Sequence, residues 1–544
     1  MASSMVSRIF ALLLLVVASA RAFVPTWRTC SSQVSRRDTC SNILVQQEGS
    51  SLCSARDADA AATSTATSTS SGSTRIGNDG DRRWEPKIAS LEERRKLRGQ
   101  ARDDETINSL GFHHIEFYCG DAKSTALRFS LALGFPITCV TGQATGNDKC
   151  ASYGLQSGDV RFLFTAPYAG AVQAQDGSRP SADGGQNDFD APHALPSFDN
   201  AEAHGFFRRH GLAVKAVGLE VVSAQDAFDA AVAKGAKPVM YPVAVPVCRG
   251  IAKSIEDDDD DIQSMMMGCE MAEVELYGDV VLRFISSPNG SSLSSEQGDE
   301  DGLPAPFLPH LAPHPSKRTE TYGIRRIDHA VGNVPNLLDA LTRISTFTGF
   351  HEFAEFTSED VGTVESGLNS VVLASDSEDV LLPLNEPTEG KRKSQIQTFL
   401  EQNEGAGLQH LALKTDDIFE TIRRMRQAED ELGGFELMRR PSNEYYRELP
   451  ERLGDQLTPE QYESLEELGI LADADDEGVL LQIFTKPIGD RPTFFIEIIQ
   501  RIGCRYTAPE SEEVLERPGC GGFGRGNFKE LFKSIEDYEK SLKV

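Results

Sequence analysis

Three side chains able to hold a metal ion stand in strand-like runs of this sequence. His329 lies in Ile327-Asp328-His329-Ala330-Val331, His410 in Gln409-His410-Leu411-Ala412-Leu413, and Glu497 in Phe494-Phe495-Ile496-Glu497-Ile498-Ile499. A carboxylate in so apolar a run is costly unless it is paired or ligating. Two histidines and one carboxylate with positions left open form the facial triad of non-haem Fe(II) oxygenases. Nitrogen and carboxylate donors keep iron ferrous while three sites stay free for an oxo-acid and O2. The same donors also suit zinc or manganese. A single strand histidine is more often structural than ligating, so the inference rests on where the three stand in a larger pattern.

That pattern is a repeat. Phe112-His113-His114-Ile115-Glu116-Phe117 alternates as a strand and precedes a helix from Asp121 to Leu133 that stops at Gly134-Phe135. The plan returns at Ile327 to Val331, with a helix from about Pro335 to Phe347 that stops at Gly349-Phe350. Asp121 suits an N-cap, Pro335 a first turn, and each glycine a C-terminal stop. A second pair begins at Val217 to Val222, with a helix at 224–234 ending at Gly235, and at Gln409 to Leu413, with a helix at 416–427. Further strand-like runs follow each unit: Val160 to Thr165, Val280 to Ile285, Ser370 to Pro383 and Phe494 to Gln500. Strand, helix and several strands, four times over, predict two tandem α+β domains, each a pair of modules. The boundaries read as 106–288 for the first domain, 289–320 for a Ser/Pro/Asp/Glu-rich linker and 321–544 for the second. At the places of His329, His410 and Glu497 the first domain carries His114, Leu219 and Arg283, which makes it a metal-free copy.

The C-terminal end reads as a lid. Gly519 to Gly526 holds five glycines, but it does not follow the strand of a βαβ unit, so a nucleotide loop is not expected. Asn527 suits an N-cap with Glu530 three residues on. Phe528, Leu531, Phe532, Ile535, Tyr538 and Leu542 then form an apolar stripe at helical spacing. A glycine hinge before an amphipathic helix is what a closing element needs.

The chain has 544 residues with 25% charged, 39% hydrophobic and a net charge of −29. So acidic a chain is ill suited to nucleic acid, whose phosphates require clustered Lys and Arg. Met1 to Ala20 reads as a signal segment with Arg8 in its n-region and Ala18-Ser19-Ala20 as the cleavage motif. It is too short to span a bilayer, and no other segment reaches that length. Residues 21–55 are Ser-rich and acid-poor like a transit peptide, and 56–105 read as disordered or linker sequence. Such a bipartite leader resembles those of algae with secondary plastids; plain secretion is the alternative. Residues 1–55 carry five Arg and two acids, net +3, so the rest of the chain is at −29 − 3 = −32. Part of that charge is the acidic run from Glu256 to Asp261, read as a solvated loop. Of ten cysteines three lie in the leader, and the scattered remainder predicts reduced thiols.

From about Phe112 to Lys543 the sequence resembles the plant-type 4-hydroxyphenylpyruvate dioxygenases of the vicinal oxygen chelate fold. The matching stretches run from Tyr322 to Pro335, Glu404 to His410, Asp490 to Arg501 and Gly519 to Glu530. The resemblance implies two tandem vicinal oxygen chelate domains, each of paired βαβββ modules forming a half-open barrel. It also implies one Fe(II) per subunit on His329, His410 and Glu497, and a homo-oligomer, taken as a dimer. It places Ser370, Asn385, Gln395 and Gln409 as the residues orienting the substrate in catalysis. Gln482, Phe484, Phe495, Phe523, Asn527 and Phe528 would line the substrate pocket, with Phe484 and Phe523 sandwiching its ring. Taken alone, the polar residues read as ordinary strand and loop positions, and Phe484 and Phe495 as core. The implied reaction converts 4-hydroxyphenylpyruvate and O2 to homogentisate and CO2. A plastid address would direct that product to plastoquinone and tocopherol synthesis rather than tyrosine breakdown. The alternatives are hydroxymandelate synthase on the same fold and a non-catalytic binding protein of that fold.

Overall fold

A computed structural model describes residues 105–169, 194–246, 267–287, 306–314, 316, 321–357, 367–390, 392–507 and 514–542. The signal-like and transit-like segments and the acidic run 256–261 lie outside the described residues.

The strand–helix–strand–strand–strand order recurs four times. The first module is β1 (Ser109–Tyr118), α1 (Ala122–Leu133), β2 (Ile137–Thr141), β3 (Cys150–Ser157) and β4 (Val160–Pro167). After α2 (Asn200–His210) comes the second, β5 (Ala213–Val221), α3 (Ala224–Ala233), β6 (Pro238–Pro246), β7 (Met267–Tyr277) and β8 (Val280–Ser286). A short β9 (Ala312–Pro313) precedes the third, β10 (Ile324–Asn333), α4 (Leu337–Thr348), β11 (His351–Phe356), β12 (Leu368–Ala374) and β13 (Leu381–Pro387). Following α5 (Gln395–Gln402), the fourth is β14 (Gly407–Thr415), α6 (Ile418–Leu432), β15 (Leu471–Ala474), β16 (Val479–Phe484) and β17 (Phe495–Ile502). Two helices, α7 (Asn443–Leu453) and α8 (Pro459–Leu468), interrupt this last module. The chain ends in α9 (Phe528–Leu542).

Each pair of modules makes one curled mixed sheet. The first has strand order β6-β7-β8-β5-β1-β4-β3-β2-β9 and the second β11-β12-β13-β10-β14-β17-β16-β15. The two copies meet antiparallel at the centre, β1 on β5 and β10 on β14. Strands alternate their side chains between the faces, so each sheet packs one face on helices and turns the other inward. A continuous apolar core includes Phe117, Phe129, Phe162 and Phe164 from the first sheet and Ile327, Leu411, Leu413, Ile496 and Ile498 from the second.

Local chemistry accounts for the boundaries. Asp121 caps α1 by accepting from the Ser124 amide at 2.8 Å, and Gly134 closes it at φ +73°, a left-handed conformation suited to glycine. Pro335 stands before the helix rather than in its first turn: Asn336 is the N-cap of α4, its side chain accepting from the Asp339 amide at 2.9 Å. The helix predicted over 416–427 starts after Asp417 and runs on to Leu432. The run Ser370 to Pro383 is two strands, because the backbone turns between Ser375 and Val380 and β12 pairs antiparallel with β13. The stretch expected as a linker is partly built into the first sheet. Val140 pairs with Ala312, and Phe307, Leu308 and Leu311 are buried.

The expectation of reduced thiols holds for Cys119, Cys139, Cys150 and Cys269 and fails for Cys504 and Cys520, which form a disulfide. The turn after β17 and the glycine loop before α9 bring these two together. Burial pushes the Cys119, Cys139 and Cys269 thiols up to about 12.

Candidate metal centre

His329, His410 and Glu497 come from the adjacent strands β10, β14 and β17. His329 pairs with Ala412, and Ala412 pairs in turn with Glu497. His410 is two residues before Ala412 on β14, so the alternation puts all three on the inner face. One donor atom from each lies within 4.8 Å of the others. Glu497 Oε2 is 3.3 Å from His329 Nε2 and 3.4 Å from His410 Nε2. Among the described residues this is the only such group of three.

Two β-bulges prepare the histidines. On β10, Ile327 faces Leu413 and His329 faces Ala412, which leaves Asp328 as the extra residue. Its carboxylate reaches His329 Nδ1 at 2.9 Å. A carboxylate accepts, so Nδ1 is protonated and Nε2, beside Glu497, is the nitrogen that an ion would take in exchange for any proton there. On β14, Val331 faces His410 and Gly332 faces Leu408, so Gln409 is extra. Its Oε1 accepts from His410 Nδ1 at 3.0 Å, which fixes the second ring in the same sense. Such carboxylate–histidine and amide–histidine pairs are what metal-bound imidazoles require.

The electrostatics agree with a seat for a cation. Burial would lower the His329 imidazole, but its bonds to Asp328 and Glu497 outweigh that and hold it at about 9. Burial lowers His410, offset in part by Glu497. Glu497 itself is held below the usual carboxylate range, because its two histidine partners outweigh burial. Three buried donors converging on one point, with their outer nitrogens already engaged, fit a divalent metal.

The centre forms one wall of a cavity between the second sheet and α9. Its strand residues come in pairs two apart: His329 and Val331, Ser370 with Leu368 and Val372, Pro383 and Asn385, Gln482 and Phe484, Phe495 and Glu497. Gln409 and His410 are neighbours that both face it, which the bulge permits. Ser370 pairs directly with Asn385 across β12 and β13. Gln395 enters from the first turn of α5, after the Ser394 N-cap. The Phe495 ring stacks on His410 with centroids 4.7 Å apart, and the Phe523 ring lies edge-on to His329 at 5.3 Å. Phe528, Leu531, Phe532 and Ile535 of α9 supply the remaining wall.

The structure brings together every expected site residue except Asn527, which is fully buried behind the cavity and does not line it. The Tyr445 hydroxyl donates to Asn527 Oδ1 at 2.7 Å, which ties the start of α9 to α7. Sequence reasoning missed Val331, Leu368, Val372 and Pro383, which a step of two from the named strand residues would have found. It also missed Phe356 of β11, and the helix stripe gave no sign that Leu531 and Ile535 face a cavity.

The first sheet holds the counterpart. His114 pairs with Gly218, and Gly218 pairs with Arg283, so His114 and Arg283 match His329 and Glu497. The bulge residue His113 matches Asp328, with its Nδ1 2.8 Å from His114 Nδ1. The register also corrects one assignment. Ala216, two residues before Gly218, stands where His410 does, not Leu219. The Arg283 guanidinium fills this part of the first sheet, 2.8 Å from His114 Nε2, 2.7 Å from Glu116 Oε2 and 2.6 Å from Glu273 Oε1.

Fold and site together define the class: residues 326–447 match the Glyoxalase/Bleomycin resistance protein/Dioxygenase superfamily. A 4-hydroxyphenylpyruvate dioxygenase of Plectranthus scutellarioides is 51% identical over 432 residues, covering 79% of this chain and 89% of its own. The 4-hydroxyphenylpyruvate dioxygenase of Arabidopsis thaliana is 51% identical over 436 residues, covering 80% and 88%. The chain belongs to the 4-hydroxyphenylpyruvate dioxygenase family. A solved triple mutant of 4-hydroxymandelate synthase from Streptomyces coelicolor shares the fold, with a TM-score of 0.57 and 22% identity over 80% of this chain and 99% of its own.

Proposed function

We propose that the chain converts 4-hydroxyphenylpyruvate and O2 to homogentisate and CO2 at an Fe(II) held by His329, His410 and Glu497. The observation that carries this reading is the buried His/His/Glu group at the wall of a cavity with an aromatic lining, in a chain of this family. Fe(II), when bound, supplies the redox partner for O2 and the Lewis acid for a 2-oxo acid. The chain's own residues do the rest. Neutral imidazoles and one carboxylate would cancel only one of a divalent ion's two charges, so the loaded seat would attract the substrate's carboxylate. Amide and hydroxyl groups of Gln395, Gln409, Gln482, Asn385 and Ser370 orient the polar ends of the substrate. Phe484, Phe495 and Phe523 confine the ring, and α9 excludes water, so that the reacting groups meet in a dry site.

Incubating the metal-loaded protein with 4-hydroxyphenylpyruvate under O2 and identifying the product tests the reading. Homogentisate is expected; 4-hydroxymandelate, or no O2 uptake, overturns it. The His329→Ala variant is expected to lose both iron retention and turnover, and a fully active variant would remove His329 from the centre.

The leader supports delivery to a plastid, where the product would serve plastoquinone and tocopherol synthesis. A fluorescent protein fused behind residues 1–55 and expressed in an alga with a secondary plastid should enter that organelle; secretion would refute the address. No described helix is long and apolar enough to cross a membrane. A homodimer is supported by the exposed Val239 and Tyr241 on the edge strand β6, and light scattering of the purified chain decides it.

A further inference from the structure

We infer that Arg501 is a positioning residue that ties the ligand His329 to the loop closing the cavity, so that metal binding and closure reinforce each other. The inference rests on the reading of His329, His410 and Glu497 as a metal centre.

Arg501 lies near the end of β17, four residues after Glu497, and is buried. Its Nε donates to Asp328 Oδ1 at 2.9 Å and its Nη2 to Asp328 Oδ2 at 2.7 Å, a forked pair on the carboxylate that orients His329. The remaining nitrogen, Nη1, turns the other way. It donates to the carbonyls of Cys520 and Gly522, the latter at 2.8 Å. Those carbonyls belong to the loop carrying Phe523. The guanidinium carbon is 5.7 Å from the Phe523 ring centroid, and that ring returns to His329 at 5.3 Å. The contacts close a circuit: His329, Asp328, Arg501, the loop, Phe523 and His329 again.

The circuit has mechanical content. The disulfide to Cys504 pins the loop at Cys520 and the Asp475 carboxylate accepts from the Gly521 amide at 3.1 Å, so the part free to move begins at Gly522, where Gly522 and Gly524 both have positive φ. If that part swings out, Arg501 keeps the Cys520 carbonyl but loses the Gly522 carbonyl and its aromatic face together. Its hold on Asp328 then slackens, and with it the orientation of His329. Conversely, an ion that fixes His329 holds Asp328 and Arg501 in the arrangement that the closed loop needs. Linkage makes the two effects equal: whatever factor closure adds to metal affinity, metal adds to closure. A planar guanidinium is required, because a lysine ammonium cannot serve a carboxylate edge and two diverging carbonyls at once.

Two variants of the full chain test this, with Co(II) as probe. Co(II) affinity is read by anaerobic absorption titration, and loop closure by amide hydrogen exchange over 519–542, with and without the ion. In the unaltered protein Co(II) should slow exchange across 519–542. Arg501→Lys keeps a charge opposite Asp328 and should lose that metal-dependent slowing. The double variant Asp328→Asn/Arg501→Gln removes both charges, leaves no unpaired buried ion to prevent folding, and should bind Co(II) ten- to a hundredfold more weakly. It should likewise show no metal-dependent slowing. A merely structural pair would raise exchange equally with and without the ion. Full metal-dependent slowing in either variant, unchanged Co(II) affinity in the double variant, or no slowing in the unaltered protein would overturn the inference. Failure of the unaltered protein to bind Co(II) at all would overturn the metal centre itself.

Discussion

At the scale of single residues, the two sheets solve one problem in opposite ways. Each gathers buried polar groups at the same point of its inner face. In the second sheet an external cation can neutralise them; in the first the chain supplies its own. Arg283 is held between Glu116 and Glu273, with side chains almost wholly enclosed. Removing it would strand two carboxylates out of water. Arg283→Met should therefore cost at least about 3–5 kcal/mol, read as a lowered urea midpoint, whereas an exposed ion pair such as Arg325 with Asp416 should cost less than about 1 kcal/mol. His310 adds a pH dependence. It faces the same cluster, and burial, reinforced by the Arg283 charge, lowers its pKa to about 3. Unfolded, the ring takes a proton near its ordinary 6.5. Between those values the unfolded chain binds more protons, so stability is full above pH 6.5 and is lost as pH falls toward 3. At pH 5 the loss from this residue is about 2 kcal/mol. His310→Gln should lose correspondingly less on going from pH 7.5 to 5, and equal losses in the two proteins would refute the assignment.

At the scale of elements, the strands and capped helices were legible because their signals are local. Asp121, Gly134, Gly349 and the alternation in β1 and β10 need only near neighbours. The three metal-compatible side chains were legible because the chain repeats, so one copy serves as the control for the other. What was not legible depends on partners distant in sequence. The extra residues Asp328 and Gln409 exist only relative to the strands opposite, and a register three residues off misassigned Leu219 for Ala216. Asn527 read as a cap because its local pattern fits one, but Tyr445, 82 positions earlier, claims its side chain. That contact predicts how the lid is held. The Tyr445 hydroxyl also accepts from the Ala472 amide at 2.7 Å, so Tyr445→Phe leaves two buried groups unsatisfied at the root of α9. The cost, about 1–3 kcal/mol, falls on local opening. Hydrogen exchange in 525–542 should quicken by ten- to a hundredfold, while β10 and β14 exchange as before. Equal acceleration everywhere would mean that the lid does not open apart from the rest.

At the scale of the molecule, the second sheet does not stand on its own core. Phe117 of β1 packs with Phe129, Phe162 and Phe164 and meets Phe494, centroids 5.2 Å apart, just ahead of the strand that carries Glu497. Polar ties follow the same boundary. Ser157 Oγ donates to the Ile324 carbonyl at 2.8 Å, Tyr322 to that of Leu131 at 3.1 Å, and Arg128 to that of Ile488 at 2.6 Å. Halves sharing an apolar core in this way should unfold together. Calorimetry is expected to show one transition for the described body, with release of bound Co(II) at the same midpoint as loss of secondary structure. Phe117→Ala tests the coupling directly, for it deletes a fully buried ring from the half without the metal and should cost about 3–5 kcal/mol. If the halves act as one, Co(II) release moves down in temperature with the whole transition. Were the second half independent, a first transition would shift alone while the metal left at its original temperature. The metal-free copy would then be a passenger, and its arginine-centred cluster would matter only to itself. A shared shift instead makes that cluster part of what keeps His329, His410 and Glu497 in register.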